Sequence, residues 1–244
     1  MRLTRIYVDE PLAVGQQLVL PEQAATHLTR VLRLRAGAGL SLFNGHGGEY
    51  QAELVAIERG AARAAILKQL PIERESPLRL RLLQGISRGE RMDLIVQKAT
   101  ELGIEQLVPI AAEHGVVKLD PIQGIRRVEH WQSIAISACE QCGRNRIPAI
   151  SPVVTLARAL EALPADSARL LLDPEGAMTL ATVPVAGAAT VLIGPEGGWS
   201  ESERRLCERA GISSCRLGPR VLRTETAPLA VLAALQALHG DLAR

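Results

Sequence analysis

The chain has few aromatic residues. Of its 244 residues only Tyr7, Phe43, Tyr50, Trp131 and Trp199 are aromatic. RNA recognition by base stacking on a sheet needs several aromatics on one face, so this composition argues against that mode. No apolar run approaches the roughly 20 residues of a membrane span. The opening Met1-Arg-Leu-Thr-Arg-Ile-Tyr7 has no apolar signal core, and a cytoplasmic protein is expected. The four cysteines are irregularly spaced, unlike a disulfide framework. Cys139 and Cys142 form a C-x-x-C, but it falls late in a helical segment. A redox pair belongs at a helix start, and zinc would require two further ligands at suitable spacing. No metal is expected. Neither a Gly-x-x-x-x-Gly-Lys-Ser/Thr stretch nor a Gly-x-Gly-x-x-Gly after a strand is present, which argues against the common nucleotide loops.

The charge is nearly balanced, at +2. Residues 1–70 hold eight Lys/Arg against six Asp/Glu, and the rest of the chain is neutral. The surplus therefore lies in the first part, a weak pointer to a polyanionic partner. In His27-Leu-Thr-Arg-Val-Leu-Arg-Leu-Arg35, the residues Leu28, Val31 and Leu32 fit one helical face, leaving Arg30 and Arg33 outward. With Arg2 and Arg5, this stretch is a candidate RNA-contacting surface. An ordinary solvated face explains the same charges equally well.

Two rhythms divide the chain. Short strand-like runs fill 1–70, separated by turns such as Asn44-Gly-His-Gly-Gly48, with one helical stretch near 21–34. That pattern predicts a small β-barrel. The polar, proline-bounded segment 71–77 reads as a linker. From 78 to 244 strands alternate with helices, which predicts an α/β fold on a parallel sheet. The last helical run, Ala227–Leu238, has Gln236 as its one polar residue. A helix apolar all round is expected to be buried on every side, in its own core or against a second copy.

Two corners carry the chemistry. Thr190-Val-Leu-Ile-Gly-Pro-Glu-Gly-Gly-Trp-Ser200 runs from a buried-type strand into a Gly/Pro loop, then into a helix capped by Ser200 with Glu203. Leu217-Gly-Pro-Arg-Val-Leu-Arg-Thr-Glu-Thr-Ala227 makes a second such corner. Open α/β sheets place ligands at the carboxyl ends of their strands, so one shared pocket is expected. Glu196 inside the first loop and the missing N–H of Pro195 disfavour a phosphate. They suit a neutral or cationic ligand with hydroxyls, such as a nucleoside bearing a sulfonium. In the second corner, Thr224 or Thr226 is a candidate helix cap. Glu140, Gln141, Arg144 and Asn145 gather at another helix end, where Arg144 is placed to clamp a phosphate or to pair with Glu140.

Together these pieces resemble the RsmE family of 16S ribosomal RNA uridine N3-methyltransferases, in the SPOUT superfamily. The resemblance is carried by Gln97-Lys-Ala-Thr-Glu-Leu-Gly103, Glu140-Gln-x-x-Arg144 ending at Ile147-Pro148, Gly194-Pro-Glu-Gly-Gly198, and Leu217-Gly-x-Arg-x-Leu-Arg-x-Glu-Thr-Ala227. His27-Leu-x-x-Val-Leu-Arg33 and Phe43-Asn-Gly45 add to it. His114-Gly115 departs from the family pattern, which has Arg-Ser at that place.

The resemblance implies a PUA-like RNA-binding barrel over 1–70 and a SPOUT domain with a trefoil knot over 78–244. It implies a homodimer that methylates 16S rRNA of the small subunit, with S-adenosylmethionine held in the knot. The implied cofactor contacts are Leu172, Ile193, Gly194, Pro195, Glu196, Gly197, Gly198, Leu217, Gly218, Leu222, Arg223, Thr226 and Ala227. Arg144 and Arg223 are candidates for anion stabilisation, and Glu140 and Glu225 for the base. His27 joins Arg2, Arg5, Arg30 and Arg33 as candidate RNA contacts. A non-catalytic RNA-binding module that keeps a nucleoside pocket is the alternative.

Overall fold

A computed structural model describes residues 3–58, 60–115 and 120–243. The chain divides into two compact units. One comprises Met1–Glu75 with Cys139–Ile147, and the other Ser76–Ala138 with Pro148–Arg244.

The first unit contains a five-stranded sheet in the order β1-β3-β4-β5-β2. Its strands are β1 (Thr4–Tyr7), β2 (Gln17–Val19), β3 (Gly39–Phe43), β4 (Glu49–Glu58) and β5 (Ala61–Leu70). β1 and β3 are parallel, and the other pairs are antiparallel. Alternation along β4 and β5 buries Tyr50, Ala52, Leu54, Ala62, Ala64 and Ile66 on one face, around Ile6, Leu40 and Leu42.

The helical stretch expected at 21–34 is shorter and differently wound. Helix α1 (Glu22–Thr26) passes into a π-helical turn at His27–Val31, closed by the Leu32 amide donating to His27 O. The wider turn rotates the register, so Leu28 is fully buried while Val31 is 65% exposed. A regular α-helix would have put both on one face.

Residues 71–75, expected as linker, are tied to the 139–147 segment of the same unit. Asn145 Nδ2 donates to Ile72 O at 2.6 Å, and Arg144 forks onto Glu75.

Among the described residues, the second unit holds a parallel sheet in the order β10-β12-β9-β11-β6-β7-β8. Its strands are β6 (Arg79–Gly85), β7 (Ile104–Ile110), β8 (Ala149–Ile150), β9 (Ala168–Leu172), β10 (Met178–Thr179), β11 (Ala188–Ile193) and β12 (Ser213–Arg216). β11 is buried along its whole length, as expected for a strand in the middle of a covered parallel sheet. The two-residue strands β8 and β10 are too short to leave a periodic signal.

Five helices accompany this sheet: α2 (Glu90–Glu101), α3 (Pro121–Cys142), α4 (Leu156–Glu161), α5 (Glu201–Arg209) and α6 (Thr226–His239). The final four residues of α3 belong to the first unit. α2 buries Met92, Ile95, Val96 and Ala99, the stripe its periodicity predicts. Gly103 (φ +82°) ends it in the left-handed region, where glycine is favoured.

α6 is not covered on all sides by its own chain, since Leu238 is 56% exposed. Its one polar residue within Ala227–Leu238, Gln236, is among its most buried. Gln236 Nε2 donates to Leu102 O, and its Oε1 accepts from Ser76 Oγ.

Candidate active site

The carboxyl ends of β6, β9, β11 and β12 lie side by side, and the two Gly/Pro corners leave from the last two. Thr224 joins them. Its hydroxyl donates to Gly194 O at 2.8 Å, and Gln84 Nε2 donates to the same hydroxyl oxygen at 3.2 Å. Ser87 Oγ lies 3.2 Å away. Thr224, one of the two candidate helix caps, is therefore a loop-to-loop tie. The cap position of α6 is Glu225, whose side chain makes no capping bond, and Thr226 is the helix's first residue.

Close packing fixes the first loop from below. A Cβ on Gly85 would come within 2.5 Å of both Cδ and N of Pro195, so the end of β6 lies against the loop backbone. A Cβ on Gly197 would meet His114 O at 2.8 Å. The segment that departs from the family pattern thus abuts the loop, through the carbonyl and Cβ of His114.

Between the two corners is a cavity of about 490 Å³. Leu172, Ile193, Leu217, Leu222 and Ala227 provide apolar wall. Gly194, Pro195, Glu196 and Gly198 form the first-loop side, and Arg223 and Glu225 the second-loop side. Three of the cofactor contacts expected from sequence are absent from the lining: Gly197, which packs on His114, and Gly218 and Thr226.

The lining also contains residues that the sequence reading missed. Arg91, in the first turn of α2, places Nη1 2.8 Å from Glu196 Oε1 and Nε 3.8 Å from Glu225 Oε1. Arg204 pairs with Asp173 at the end of β9. Trp199 lines the cavity with its indole N–H buried and without a hydrogen-bond partner among the described residues. Arg91 stands six residues beyond the end of β6, a place whose neighbours are legible only once the sheet order is known.

Electrostatics separates the carboxylates. Burial pushes the Glu196 carboxyl up, but the Arg88 amide and the Arg91 guanidinium outweigh it and hold it below the usual range. Among the described residues, Glu225 has long contacts to Arg91 and to Arg223 (4.0 Å), and its buried Oε2 has no hydrogen-bond partner.

The other candidate residues lie in the first unit, and several have structural duties. Arg144 is nearly buried, with Nε 3.1 Å from both Glu75 oxygens and Nη2 2.6 Å from Oε2. It is paired with Glu75, not with Glu140. Glu140 accepts the Tyr7 amide N–H at 3.0 Å, and burial raises its carboxyl pKa.

Arg5, a candidate RNA contact from sequence, is buried. It bonds Glu49 Oε2 at 2.6 Å, Asn145 Oδ1 and Arg144 O, and lies over the Phe43 ring. A guanidinium so enclosed is a packing element of this unit and not a surface contact. His27, Arg30 and Arg33 are exposed, and Arg2 lies outside the described residues. Cys139 is fully buried, and its thiol donates to Arg146 O. Among the described residues no group of three metal-ligating side chains occurs.

Parallel-sheet topology, a carboxyl-edge cavity and two glycine corners define the class, and the family comparisons agree. The RNA methyltransferase domain matches residues 74–236, and the RNA methyltransferase PUA domain matches residues 20–67. Ribosomal RNA small subunit methyltransferase E of Neisseria gonorrhoeae, solved bound to S-adenosyl methionine, is 40% identical with a TM-score of 0.92, over 99% of this chain and 100% of that one. The proteins of the same name from two Buchnera aphidicola strains are 33% and 31% identical. They align over 99% and 98% of this chain and 98% and 95% of their own lengths. The chain belongs to the ribosomal RNA small subunit methyltransferase E family.

Proposed function

We propose that this protein transfers a methyl group from S-adenosylmethionine to N3 of one uridine in 16S ribosomal RNA. The observation that carries the reading is the Thr224–Gly194 tie, which converges both corners on one cavity. The residues fit the cofactor. The volume suits a small molecule, the walls are largely apolar, and a carboxylate oxygen with no hydrogen-bond partner among the described residues suits a ligand with a positive charge or hydroxyl groups.

When bound, S-adenosylmethionine supplies an electrophilic methyl group on a positively charged sulfur. The chain must then orient the uridine, take its N3 proton and stabilise the anion left behind. Arg223, with its side chain 77% exposed beside the cavity, is placed to meet that anion or an adjacent phosphate. Of the two candidate bases, Glu225 lines this cavity, whereas an oxygen of Glu140 is occupied by the Tyr7 amide.

Around this centre the first unit serves as a PUA-like barrel that grips RNA through His27, Arg30 and Arg33. The second unit carries a trefoil knot. Support for the knot comes from β12, which lies outside β9, while Thr224 reaches the ends of β6 and β11, so the chain recrosses the sheet edge before α6. A homodimer in the cytoplasm completes the proposal. The exposed Ile122, Ile125 and Leu238 supply apolar surface for the pairing. No helix among the described residues is long and apolar enough to cross a membrane.

The test is methyl transfer from labelled S-adenosylmethionine to small subunits, and to naked 16S RNA, from a strain lacking the modification. Nucleoside mass spectrometry should show 3-methyluridine, and Arg223→Ala should abolish it. Normal cofactor binding with unlabelled RNA would overturn the substrate assignment. Absence of cofactor binding would favour the non-catalytic RNA-binding alternative.

A further inference from the structure

Three carboxylates line the cavity, and they are not equivalent. Asp173 is closed by Arg204 and accepts the Glu175 amide. Glu196 accepts both the Arg88 amide at 3.0 Å and Arg91 Nη1 at 2.8 Å. Each of these charges is met by a hydrogen-bonded cation at short range. Glu225 differs. Its nearest cations, Arg91 and Arg223, stand at 3.8 and 4.0 Å, beyond hydrogen-bond reach, and both face Oε1. Its Oε2 is buried and accepts no hydrogen bond among the described residues. A carboxylate oxygen in that state is costly unless something comes to meet it.

Arg91 maintains this arrangement. Its guanidinium is committed to Glu196 through Nη1, which anchors the first loop, and only Nε is turned toward Glu225. The clasp spans both corners yet leaves the second carboxylate incompletely neutralised. The unspent negative charge is thus on the cavity wall, while the arginines Arg91, Arg204, Arg220 and Arg223 along the lining would otherwise repel a cation.

We propose that Glu225, kept incompletely paired by the Arg91 clasp, makes the cavity select a cationic occupant, so that the sulfonium donor binds more tightly than its neutral thioether product. This rests on the methyltransferase reading above and is separate from any part Glu225 plays in taking the N3 proton. Its consequence is directional. Transfer of the methyl group removes the positive charge from sulfur, the attraction to Glu225 falls, and the product leaves more readily.

The test is calorimetric titration with S-adenosylmethionine, S-adenosylhomocysteine and sinefungin, whose amine supplies a positive charge near the position of the sulfonium. The wild-type protein should bind the two cationic ligands roughly ten-fold more tightly than the neutral one. Glu225→Gln keeps the shape and removes the charge. It should collapse that preference toward unity, mainly by weakening the cationic ligands, and Glu225→Asp should restore part of it. Equal weakening of all three ligands in Glu225→Gln would assign the residue to hydroxyl binding or to loop structure and overturn the inference. So would wild-type protein that binds the three alike, a result needing no variant. If none of the three binds the wild-type protein, the methyltransferase reading itself fails.

Discussion

Thr224 donates its hydroxyl to the carbonyl oxygen of Gly194 at 2.8 Å, joining two loops that leave different strands. The Thr224 hydroxyl oxygen accepts from Gln84 and lies within hydrogen-bond distance of Ser87, both buried at the end of β6. Thr224→Val preserves the volume and removes all of these bonds. Leaving buried polar groups unpaired costs about 1–3 kcal/mol. The expected outcome is a lower unfolding midpoint and roughly ten-fold weaker S-adenosylmethionine binding. Thr224→Ser should retain most of both. Calorimetry and thermal melts check this, and unchanged affinity in the valine variant would show that the tie does not shape the cavity.

Gly85 and Gly197 hold the first loop by having no side chain. At Gly85 a Cβ would overlap backbone and ring atoms of Pro195, and neither can swing aside. Gly85→Ala should therefore push the loop off the strand end and cost cofactor affinity more than stability. Gly197→Asp meets His114 O and sets a carboxylate beside that oxygen, so methyl transfer should be lost. Full activity in either variant would mean that the loop is free to shift.

Much of the second unit was legible because strands alternating with helices mark a parallel sheet. The Ser200–Glu203 capping box is present as its spacing predicts. What sequence could not supply is which strand ends become neighbours. Arg91 and Glu196 are 105 positions apart, and only the β11–β6 pairing brings them together. Arg5 illustrates the opposite limit. Its charge suggested a surface contact, but Glu49 and Asn145, both distant in the chain, enclose it. The π-turn at His27–Val31 escaped because hydrophobic spacing there fits an α-helix equally well.

Acidification tests the Arg5–Glu49 pairing. Burial pushes the Glu49 carboxyl up, but the hydrogen bond from Arg74 and the charges of Arg5 and Arg74 prevail, leaving its pKa lowered. A carboxyl lowered on folding contributes stability that is fully present above its unfolded value. That contribution is lost as the pH falls through the folded value. Stability should therefore decline on acidification below the ordinary glutamate range, and Glu49→Gln should flatten that part of the profile. Denaturant melts across the acid range measure it, and an unaltered slope in the variant would exclude Glu49 as the source.

Gln236 makes a further prediction for the second unit. Its amide binds Leu102 O and Ser76 Oγ inside an otherwise apolar helix face, with Gly103 and Gly240 leaving it room. Gln236→Leu looks conservative for so hydrophobic a helix. It strands two half-buried partners and should lower stability by about 1–3 kcal/mol. Urea denaturation checks the sign, and a stabilised leucine variant would show that water reaches these groups.

Arg144 and Glu75 form a charge pair whose side chains are 6% and 22% exposed. Their bonding separates a structural role for Arg144 from the catalytic one expected of it. Removing one member of such a pair leaves the other charge buried, at a cost of about 3–5 kcal/mol. Arg144→Ala and Glu75→Ala should each lower the unfolding midpoint strongly. The double variant should be less destabilised than the sum of the two, because the second change removes a charge already orphaned. S-adenosylmethionine affinity should hold in all three at temperatures where they stay folded, since the cavity lining contains neither residue. Should Arg144→Ala melt like the wild-type protein and still lose methyl transfer, the guanidinium would be acting on the RNA, and its pairing with Glu75 would be a resting position from which substrate draws it.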